Sequence, residues 1–342
     1  MKTFRKDLWK SDEYTYEAAY GFMPNIRAYL HDEDDEIRRT ILVVPGGGYC
    51  MCTPHEGELV ALEFYKKGMN AFVLTYTTDI TMSIPLKKQP LNDLARAVRM
   101  IRKDASEYHV QQDKLVICGS SAGGHVCACL ATHFDDIKDE NPEYTGISCR
   151  PDGVILAYPV ITSGEYTHIY SIQALLGKEP KEDELEYYSA EKQVKADTPP
   201  CFIWQTLGDS LVPIENSYLF AEALRKNKIN YAQYVFPFGD HGLSIASFEQ
   251  FAGWRGGQFS VEQLENVIEH IKNDTLIKVS DARKKELKEQ FLGNNVGPSN
   301  NDDDEKKSEN APENRRRPEE GKNPFADVSM WPELAFVWMS RL

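Results

Sequence analysis

Short apolar runs alternate with longer amphipathic stretches from about residue 39 to residue 240. Six runs are almost continuously apolar, at 40–44, 71–75, 114–118, 154–157, 202–205 and 231–236. Strands that are buried on both faces of a parallel sheet have this pattern. The repeated alternation of strand and helix predicts an α/β fold with a mostly parallel central sheet and helices on both faces.

The clearest helical stretch lies between the second and third predicted strands. Its apolar face is formed by residues at helical spacing, namely Leu91, Leu94, Val98 and Ile101. Arg96, Arg99 and Arg102 face away from this stripe, as polar residues of an amphipathic helix do. Residues 13–30 are predicted to form an earlier antiparallel hairpin.

One connection inside the predicted sheet region is unusually long. Residues 160–199 separate two strands and are rich in tyrosine, with Tyr166, Tyr170, Tyr187 and Tyr188 among them. A connection of this length usually has a function of its own, such as covering a site. We therefore expect a short covering segment over the functional site.

The C-terminal part of the chain departs from the strand–helix alternation. Residues 294–324 are polar and charged, which predicts a disordered linker. Residues 328–340 are apolar on nearly every face, so we expect them to be buried as the closing helix. This division makes 1–253 plus 326–342 one domain and 254–325 an insertion. The alternatives are a closing helix near 261–273, or a tail that docks on a partner or a second subunit.

Composition narrows the class of protein. The net charge of −14 argues against nucleic acid or an anionic membrane as a partner. No apolar run approaches the ~20 residues of a membrane-spanning helix, and the N-terminus lacks the apolar region of a secretory signal. Seven cysteines without a framework spacing suggest reduced thiols. We expect a cytoplasmic protein, and the sequence leaves the oligomeric state open.

A Gly-x-Ser-x-Gly motif occupies residues 119–123, between a predicted strand and an apolar helix. A serine in such a turn is projected out of the sheet and is flanked by small residues because the turn is tight. This placement predicts that Ser121 is a nucleophile. The amide of Ala122 would lie at a helix N-terminus, where it can stabilise negative charge.

A nucleophilic serine needs a base and an acid that orients the base. His241 follows a late predicted strand, and Asp209 follows the strand before it, in the order serine, acid, histidine. His125 lies on the helix after the serine, and we interpret it as a packed or capping residue. Asp240 adjoins His241, but an adjacent side chain rarely reaches around to Nδ1.

Three consecutive glycines follow the first predicted parallel strand. They let the backbone approach a substrate and turn its amides inward, so Gly47 and Gly48, with Ala122, are the predicted oxyanion-hole donors. No Gly-Lys-Ser/Thr follows, which argues against a phosphate-binding loop. Tyr49 and His168, the latter on the covering segment, are the predicted substrate contacts.

Taken together, these motifs resemble the acetyl esterase/lipase branch of the α/β-hydrolases, in particular esterases that act on acylated plant polysaccharide fragments such as acetyl xylan or feruloyl esterases. The matching stretches, in order, are 45–49 (PGGGY), 119–125 (GSSAGGH), 157–160 (AYPV), 176–177 (LG), 208–213 (GDSLVP) and 240–243 (DHGL). The resemblance covers about residues 15–250 and implies an α/β-hydrolase fold. The sequence departs from this pattern at two places. Pro45 replaces the usual histidine of the glycine loop. The 208–213 stretch is more similar to the carbohydrate-esterase and oligopeptidase-like branches.

The leading hypothesis is a serine carboxylesterase that removes short acyl groups, chiefly acetyl, from sugars or oligosaccharides. Its Ser-His-Asp acyl-enzyme mechanism requires no metal and no organic cofactor. One alternative is an amidase of the same fold, either an aryl-formamidase or a small peptidase. The other is a hydrolase-fold protein that binds its ligand without turnover.

Overall fold

An eight-stranded sheet forms the centre of the molecule, in a computed structural model that describes residues 1–247, 250, 253–254, 256–293 and 323–342. The strands are β1 (Lys2–Asp7), β2 (Asn25–Leu30), β3 (Arg38–Val44), β4 (Asn70–Thr75), β5 (Val110–Ser120), β6 (Gly153–Ala157), β7 (Cys201–Thr206) and β8 (Tyr231–Phe236). Their order is β1-β2-β4-β3-β5-β6-β7-β8. The pairs β1–β2 and β2–β4 are antiparallel, and the other pairs are parallel.

Helices cover the sheet on both sides. They are α1 (Pro54–Lys66), α2 (Gln89–Lys103), α3 (Ser121–His133), α4 (Ile169–Leu176), α5 (Glu182–Tyr187), α6 (Glu215–Lys226), α7 (Glu262–Lys272), α8 (Asp281–Leu292) and α9 (Trp331–Met339). Helices α2, α3 and α6 share one hydrophobic core with one face of the sheet, and α1 and α9 share another core with the opposite face.

The central strands are apolar along their whole length because both of their faces are covered. In β4, Phe72 and Leu74 face the first core, whereas Ala71 and Val73 face the second. All four side chains are fully buried. Side chains alternate between the two faces of a strand, so a strand buried on both sides shows no polar alternation. The predicted mostly parallel sheet with helices on both faces is confirmed.

The hairpin predicted over residues 13–30 is wrong in its first half. Strand β2 does pair antiparallel, but with β1 at the N-terminus and with β4 rather than with residues 13–24. Residues 13–24 between the two strands contain only the short 3₁₀ turn Glu17–Ala19. Strand β1 has the sequence KTFRKD and lies at the edge of the sheet, with alternate residues exposed. A charged edge strand of this kind gives little hydrophobic signal.

The arginines of α2 do not lie on an exposed face. Arg96 is 2% exposed and Arg99 is 6% exposed. The Arg96 guanidinium forms a bidentate pair with Asp139, with a shortest N···O distance of 2.5 Å, and lies 4.0 Å from the centroid of the Trp9 ring. Arg99 donates to the carbonyl oxygen of Ile147 at 3.0 Å. Other segments of the chain therefore cover this face of α2, and they provide the hydrogen-bond and ion-pair partners of the two guanidinium groups.

Helix α9 closes one face of the sheet. Its Trp331 ring stacks on Trp204 of β7 at 5.4 Å, and its Nε1–H donates to the Ser244 carbonyl oxygen at 2.8 Å. Phe325, just before this helix, is buried in the same core. Of the predicted disordered linker, residues 294–322 lie outside the described residues. The division into a main domain and an insertion stays a prediction.

Candidate active site

Ser121 is the first residue of α3 and directly follows β5. Its backbone has a φ of 51°, in the left-handed region that residues other than glycine rarely adopt. The flanking glycines are required by close packing, because a Cβ on Gly123 would overlap the carbonyl oxygens of Val44 and Pro45. The strained turn projects Ser121 from the carboxyl edge of the sheet, as the Gly-x-Ser-x-Gly motif predicts.

A chain of hydrogen bonds joins the three residues of the predicted triad. His241 Nε2 lies 2.8 Å from Ser121 Oγ, and its Nδ1 lies 2.8 Å from Asp209 Oδ2. Because a carboxylate only accepts hydrogen bonds, Nδ1 carries the ring proton and Nε2 is left to accept from the serine hydroxyl. This is the tautomer that a general base needs in order to take a proton from serine.

The Asp209 carboxylate is held by several donors in addition to His241. Its side chain is fully buried. The amides of Leu211 and Val212 donate to Oδ1 at 3.0 and 2.9 Å, and Gln205 Nε2 donates to Oδ2 at 3.1 Å. A buried charge is tolerated when hydrogen bonds satisfy it in this way. The same donors fix the carboxylate in line with the imidazole.

Asp240 has a different set of partners. Its Oδ1 accepts from the Ser210 amide at 3.1 Å, from the Ser210 hydroxyl at 2.7 Å and from the His241 amide at 2.8 Å. These contacts tie the loop after β8 to the loop after β7. Asp240 therefore joins the two loops that carry Asp209 and His241, and its Oδ1 binds the backbone of His241.

The glycine loop, residues 45–49, lies beside Ser121. A Cβ placed on Gly46 would lie only 2.8 Å from the Cβ of Ser121. Gly47 and Gly48 have positive φ values of 120° and 65°. Among the described residues, none accepts a hydrogen bond from the amides of Gly47, Gly48 or Ala122. Three unpaired backbone donors thus belong to the loop and the helix start that flank Ser121.

The two predicted substrate contacts have different surroundings. Tyr49 is 1% exposed, and its hydroxyl donates to His125 Nδ1 at 2.7 Å. This burial gives the Tyr49 side chain a packing role. Its predicted contact with substrate stays a prediction, and the low exposure of the side chain does not support it. Burial lowers the pKa of His168, and the proximity of His241 acts in the same direction. Its Nδ1 lies 2.8 Å from Ser171 Oγ.

Residues 160–199 lie close to the glycine loop, and their role as a covering segment stays a prediction. They include α4, whose Ser171 Oγ lies 3.8 Å from the position that a Cβ on Gly48 would take. Near the end of the same segment, the Tyr188 carbonyl oxygen accepts from Nε2 of His125, the residue that also contacts Tyr49 of the loop, at 2.8 Å.

Two buried residues next to the triad were given no role in the sequence prediction, although Tyr158 lies in the matching stretch 157–160. Glu56, in the first turn of α1, accepts from the Gly46 amide at 2.9 Å and from the Tyr158 hydroxyl at 2.7 Å. The Tyr158 ring contacts the His241 ring edge-on, with centroids 5.0 Å apart. The available signal was the position of Tyr158 directly after β6, at the edge where Ser121 lies. Nothing in the local sequence marks Glu56 as a partner of either residue.

Helix α7 supports the far side of the glycine loop. The Asp79 amide donates to the Tyr49 carbonyl oxygen at 2.9 Å. The neighbouring Thr78 is clamped by Gln263 of α7, which accepts from the Thr78 amide at 2.8 Å and donates to its carbonyl oxygen. The predicted insertion therefore contributes a side chain that holds the loop next to residues 45–49.

Two further classes of feature are missing from the part of the chain that the structure describes. Within those residues, no group of three or more His, Cys, Asp or Glu side chains is arranged to hold a metal ion. None of the described helices combines the length and the apolarity needed to cross a membrane. The cytoplasmic location stays a prediction.

Known proteins are similar to this chain over most of its length. An endo-1,4-β-xylanase B of Butyrivibrio fibrisolvens is 65% identical over 77% of this chain and 41% of its own. An acetylxylan esterase of Xylanibacter ruminicola is 30% identical over 62% of this chain and 42% of its own. The chain thus spans about two fifths of the length of these curated relatives.

A solved structure and a family model also match this chain. The acetyl ester-xyloside bifunctional hydrolase of Caldicellulosiruptor lactoaceticus is 35% identical, with a TM-score of 0.67 over 79% of this chain and 96% of its own. The sequence model of the BD-FAE family matches residues 27–224, which hold the glycine loop, Ser121 and Asp209. The chain therefore belongs to the BD-FAE family of α/β-hydrolases.

Proposed function

We propose that this chain is a serine carboxylesterase that removes short acyl groups, chiefly acetyl, from sugars or oligosaccharides. The observation that carries the proposal is the hydrogen-bonded chain from Ser121 through His241 to Asp209, at the carboxyl edge of a parallel sheet. A serine nucleophile, its base and an orienting acid in this geometry are the machinery of acyl transfer.

The proposed reaction has two steps. His241 Nε2 takes the hydroxyl proton as Ser121 Oγ attacks the ester carbonyl carbon, and the resulting imidazolium gives the proton to the leaving alcohol. Water then attacks the acyl-enzyme with the same base, which releases the acid and restores the serine. Asp209 accepts the hydrogen bond from Nδ1 throughout and stabilises the imidazolium.

The negative charge of the tetrahedral intermediate needs preorganised donors. We assign this role to the amides of Gly47, Gly48 and Ala122, which have no acceptor among the described residues. Gly46 is excluded because its amide donates to Glu56. Donors of this kind stabilise the transition state more than the neutral ester, and each contributes about 10²–10³ to kcat in enzymes where it was removed.

The substrate class is supported by the relatives rather than by the triad. One relative is named as an acetylxylan esterase, and the similar solved structure as an acetyl ester-xyloside bifunctional hydrolase. An acetyl group also suits a serine that is only 5% exposed. The sequence offers no long aliphatic stretch that could line a channel for a fatty acyl chain.

A panel of esters tests this assignment. Purified protein is assayed with p-nitrophenyl esters from acetate to palmitate, with acetylated xylo-oligosaccharides and with formyl-kynurenine. We expect the highest kcat/KM among the acetyl esters and release of acetate from the oligosaccharides. Comparable turnover of acetyl and palmitoyl esters contradicts the short-chain assignment, faster turnover of formyl-kynurenine favours an amidase, and turnover of none indicates a binding protein.

A further inference from the structure

A buried carboxylate connects the glycine loop, which carries proposed oxyanion donors, with Tyr158, which packs on the proposed base. Glu56 is 3% exposed and belongs to α1, a helix that carries no member of the triad. One of its oxygens accepts from the glycine loop and the other from Tyr158, at 2.9 and 2.7 Å. Among the described residues, it is the carboxylate that contacts both the loop and the residue packed on the base.

The contact with the glycine loop is close and directional. Gly46 has no side chain, and a Cβ there would lie 2.7 Å from Glu56 Oε2 and 2.8 Å from the Ser121 Cβ. Gly46 therefore fits between the carboxylate and the serine. Its carbonyl oxygen accepts from the Thr53 amide at 3.0 Å, so both polar groups of this peptide segment are fixed. The next two residues are the proposed oxyanion donors.

The contact with Tyr158 leads to the base. Burial raises the pKa of the Tyr158 hydroxyl well above its usual value, with a further contribution from Glu56, so the hydroxyl stays protonated and donates. Its oxygen accepts from the Ser244 amide at 3.0 Å, three residues after His241. The Tyr158 ring also lies against the His241 ring at 5.0 Å. The Tyr158 side chain thus holds both the imidazole and the loop that carries it.

We infer that Glu56 is a positioning residue that fixes the oxyanion donors of the glycine loop and the imidazole of His241 in the correct positions relative to each other. This inference rests on the proposed function. Glu56 does not touch the reacting atoms, and its effect is exerted through Gly46 and Tyr158. Misplacing preorganised groups by about 1 Å can cost about 10²-fold in rate, so this anchoring matters for turnover.

The test is Glu56→Gln, which keeps the size of the side chain but replaces one acceptor oxygen with a donor. Gly46 and Tyr158 both donate to Glu56, so the amide cannot satisfy both without rearrangement. We expect kcat for p-nitrophenyl acetate to fall about 10- to 100-fold, with KM changed by less than about threefold, because oxyanion donors act mainly in the transition state. Affinity for a trifluoromethyl ketone inhibitor should weaken in parallel with kcat.

Glu58→Gln is the matched control. Glu58 lies on the same helix and also accepts from a tyrosine hydroxyl, that of Tyr29, at 2.6 Å. Tyr29 belongs to β2, away from the triad. Rates are expressed per site labelled to completion by a fluorophosphonate, so that unfolded protein does not lower the apparent kcat. We expect the control to keep the wild-type kcat.

A second variant keeps the inference testable if Glu56→Gln does not fold. Tyr158→Phe removes the hydroxyl between Glu56 and Ser244 and should lower kcat several-fold at nearly constant KM. In the double variant the losses should be less than multiplicative, because both changes break one network. Unchanged kcat and inhibitor affinity in the folded Glu56 variant overturn this inference, as does unchanged kcat in Tyr158→Phe if that variant alone folds. An inactive wild-type protein instead overturns the proposed function.

Discussion

Two histidines of this chain each meet the edge of a tyrosine ring, yet their chemistry differs. The Tyr49–His125 rings are 5.9 Å apart and the Tyr158–His241 rings 5.0 Å apart. His125 is completely buried, whereas the His241 side chain is 12% exposed. The proton is assigned to opposite nitrogens in the two rings. In His125, Nε2–H donates to a carbonyl oxygen, and in His241, Nδ1–H donates to a carboxylate.

The difference lies in the partner of each nitrogen, which determines whether the ring has the geometry of a base. In His125, Nδ1 accepts from the buried hydroxyl of Tyr49, so neither nitrogen is free for a reaction. Burial lowers the pKa of His125 to about 4, which keeps the ring neutral. In His241, Nε2 meets Ser121 and the opposite nitrogen is fixed by an anion. Only the second arrangement provides a base next to a nucleophile and a counter-charge for the proton that it accepts.

The largest effect should come from substitutions of the two rings themselves. We expect His241→Ala to lower kcat for p-nitrophenyl acetate by about 10⁴- to 10⁶-fold, as loss of a triad member does. His125→Gln should keep kcat within about tenfold, since glutamine can accept from Tyr49 and donate to Tyr188. Steady-state assays on folded protein check both. A greater loss in the His125 variant would exchange the roles that we assign.

The next largest effect on kcat should distinguish Asp209 from Asp240. Asp209→Asn should lower kcat by about 10⁴-fold, because an amide in place of the carboxylate no longer fixes the Nδ1–H tautomer. Asp240→Asn should cost less than about tenfold, since its Oδ1 ties two loops together and binds the His241 amide rather than the ring. The kcat of both variants with the same acetyl ester is the measurement. The reverse order would make Asp240 the orienting acid.

The smallest effect is on stability in acid. The pKa of His125 is about 4 in the folded protein, below its ordinary value of 6.5, because burial disfavours the cation. Between these two values the unfolded chain binds a proton that the folded chain does not. The free energy of unfolding should therefore fall as the pH decreases from about 6.5 to about 4, by at most about 3 kcal/mol from this residue.

Urea denaturation at several pH values from 7.5 to 4 measures this loss. Burial also lowers the pKa of His133 and His168, so they contribute in the same direction. Wild-type protein should lose more stability over this range than His125→Gln, which has no imidazole to protonate in the unfolded chain. Equal losses in the two proteins would show that His125 is not held neutral by the fold.

The sequence predicted those parts of the fold and the site that local pattern determines. Continuous apolar runs identified the parallel strands, because both faces of the sheet are buried. Ser121, Asp209 and His241 each directly follow a strand or lie in the loop after it, and the carboxyl ends of parallel strands lie along one edge of the sheet. Chain order and that topology were therefore enough to select three residues that the structure brings into contact.

Features that depend on distant contacts were not predicted. The burial of Arg96 depends on Asp139 and Trp9, which are far from it in the chain. The placement of Glu56 beside Tyr158 depends on how α1 packs over the sheet, because the two residues are 102 positions apart in the chain. An acidic residue in the first turn of a helix is already accounted for by its favourable interaction with the helix dipole. Its burial under the active site has no local signature.

The central claim is that Ser121 is the nucleophile activated by His241. The most direct measurement is peptide mapping by mass spectrometry after reaction with a serine-directed fluorophosphonate, at pH 7.5, for wild-type protein and for His241→Ala. The account predicts one label per chain, on Ser121, and labelling that is slower by several orders of magnitude without the imidazole. A label on Ser120 or any other residue, or equal labelling rates in the two proteins, would contradict it.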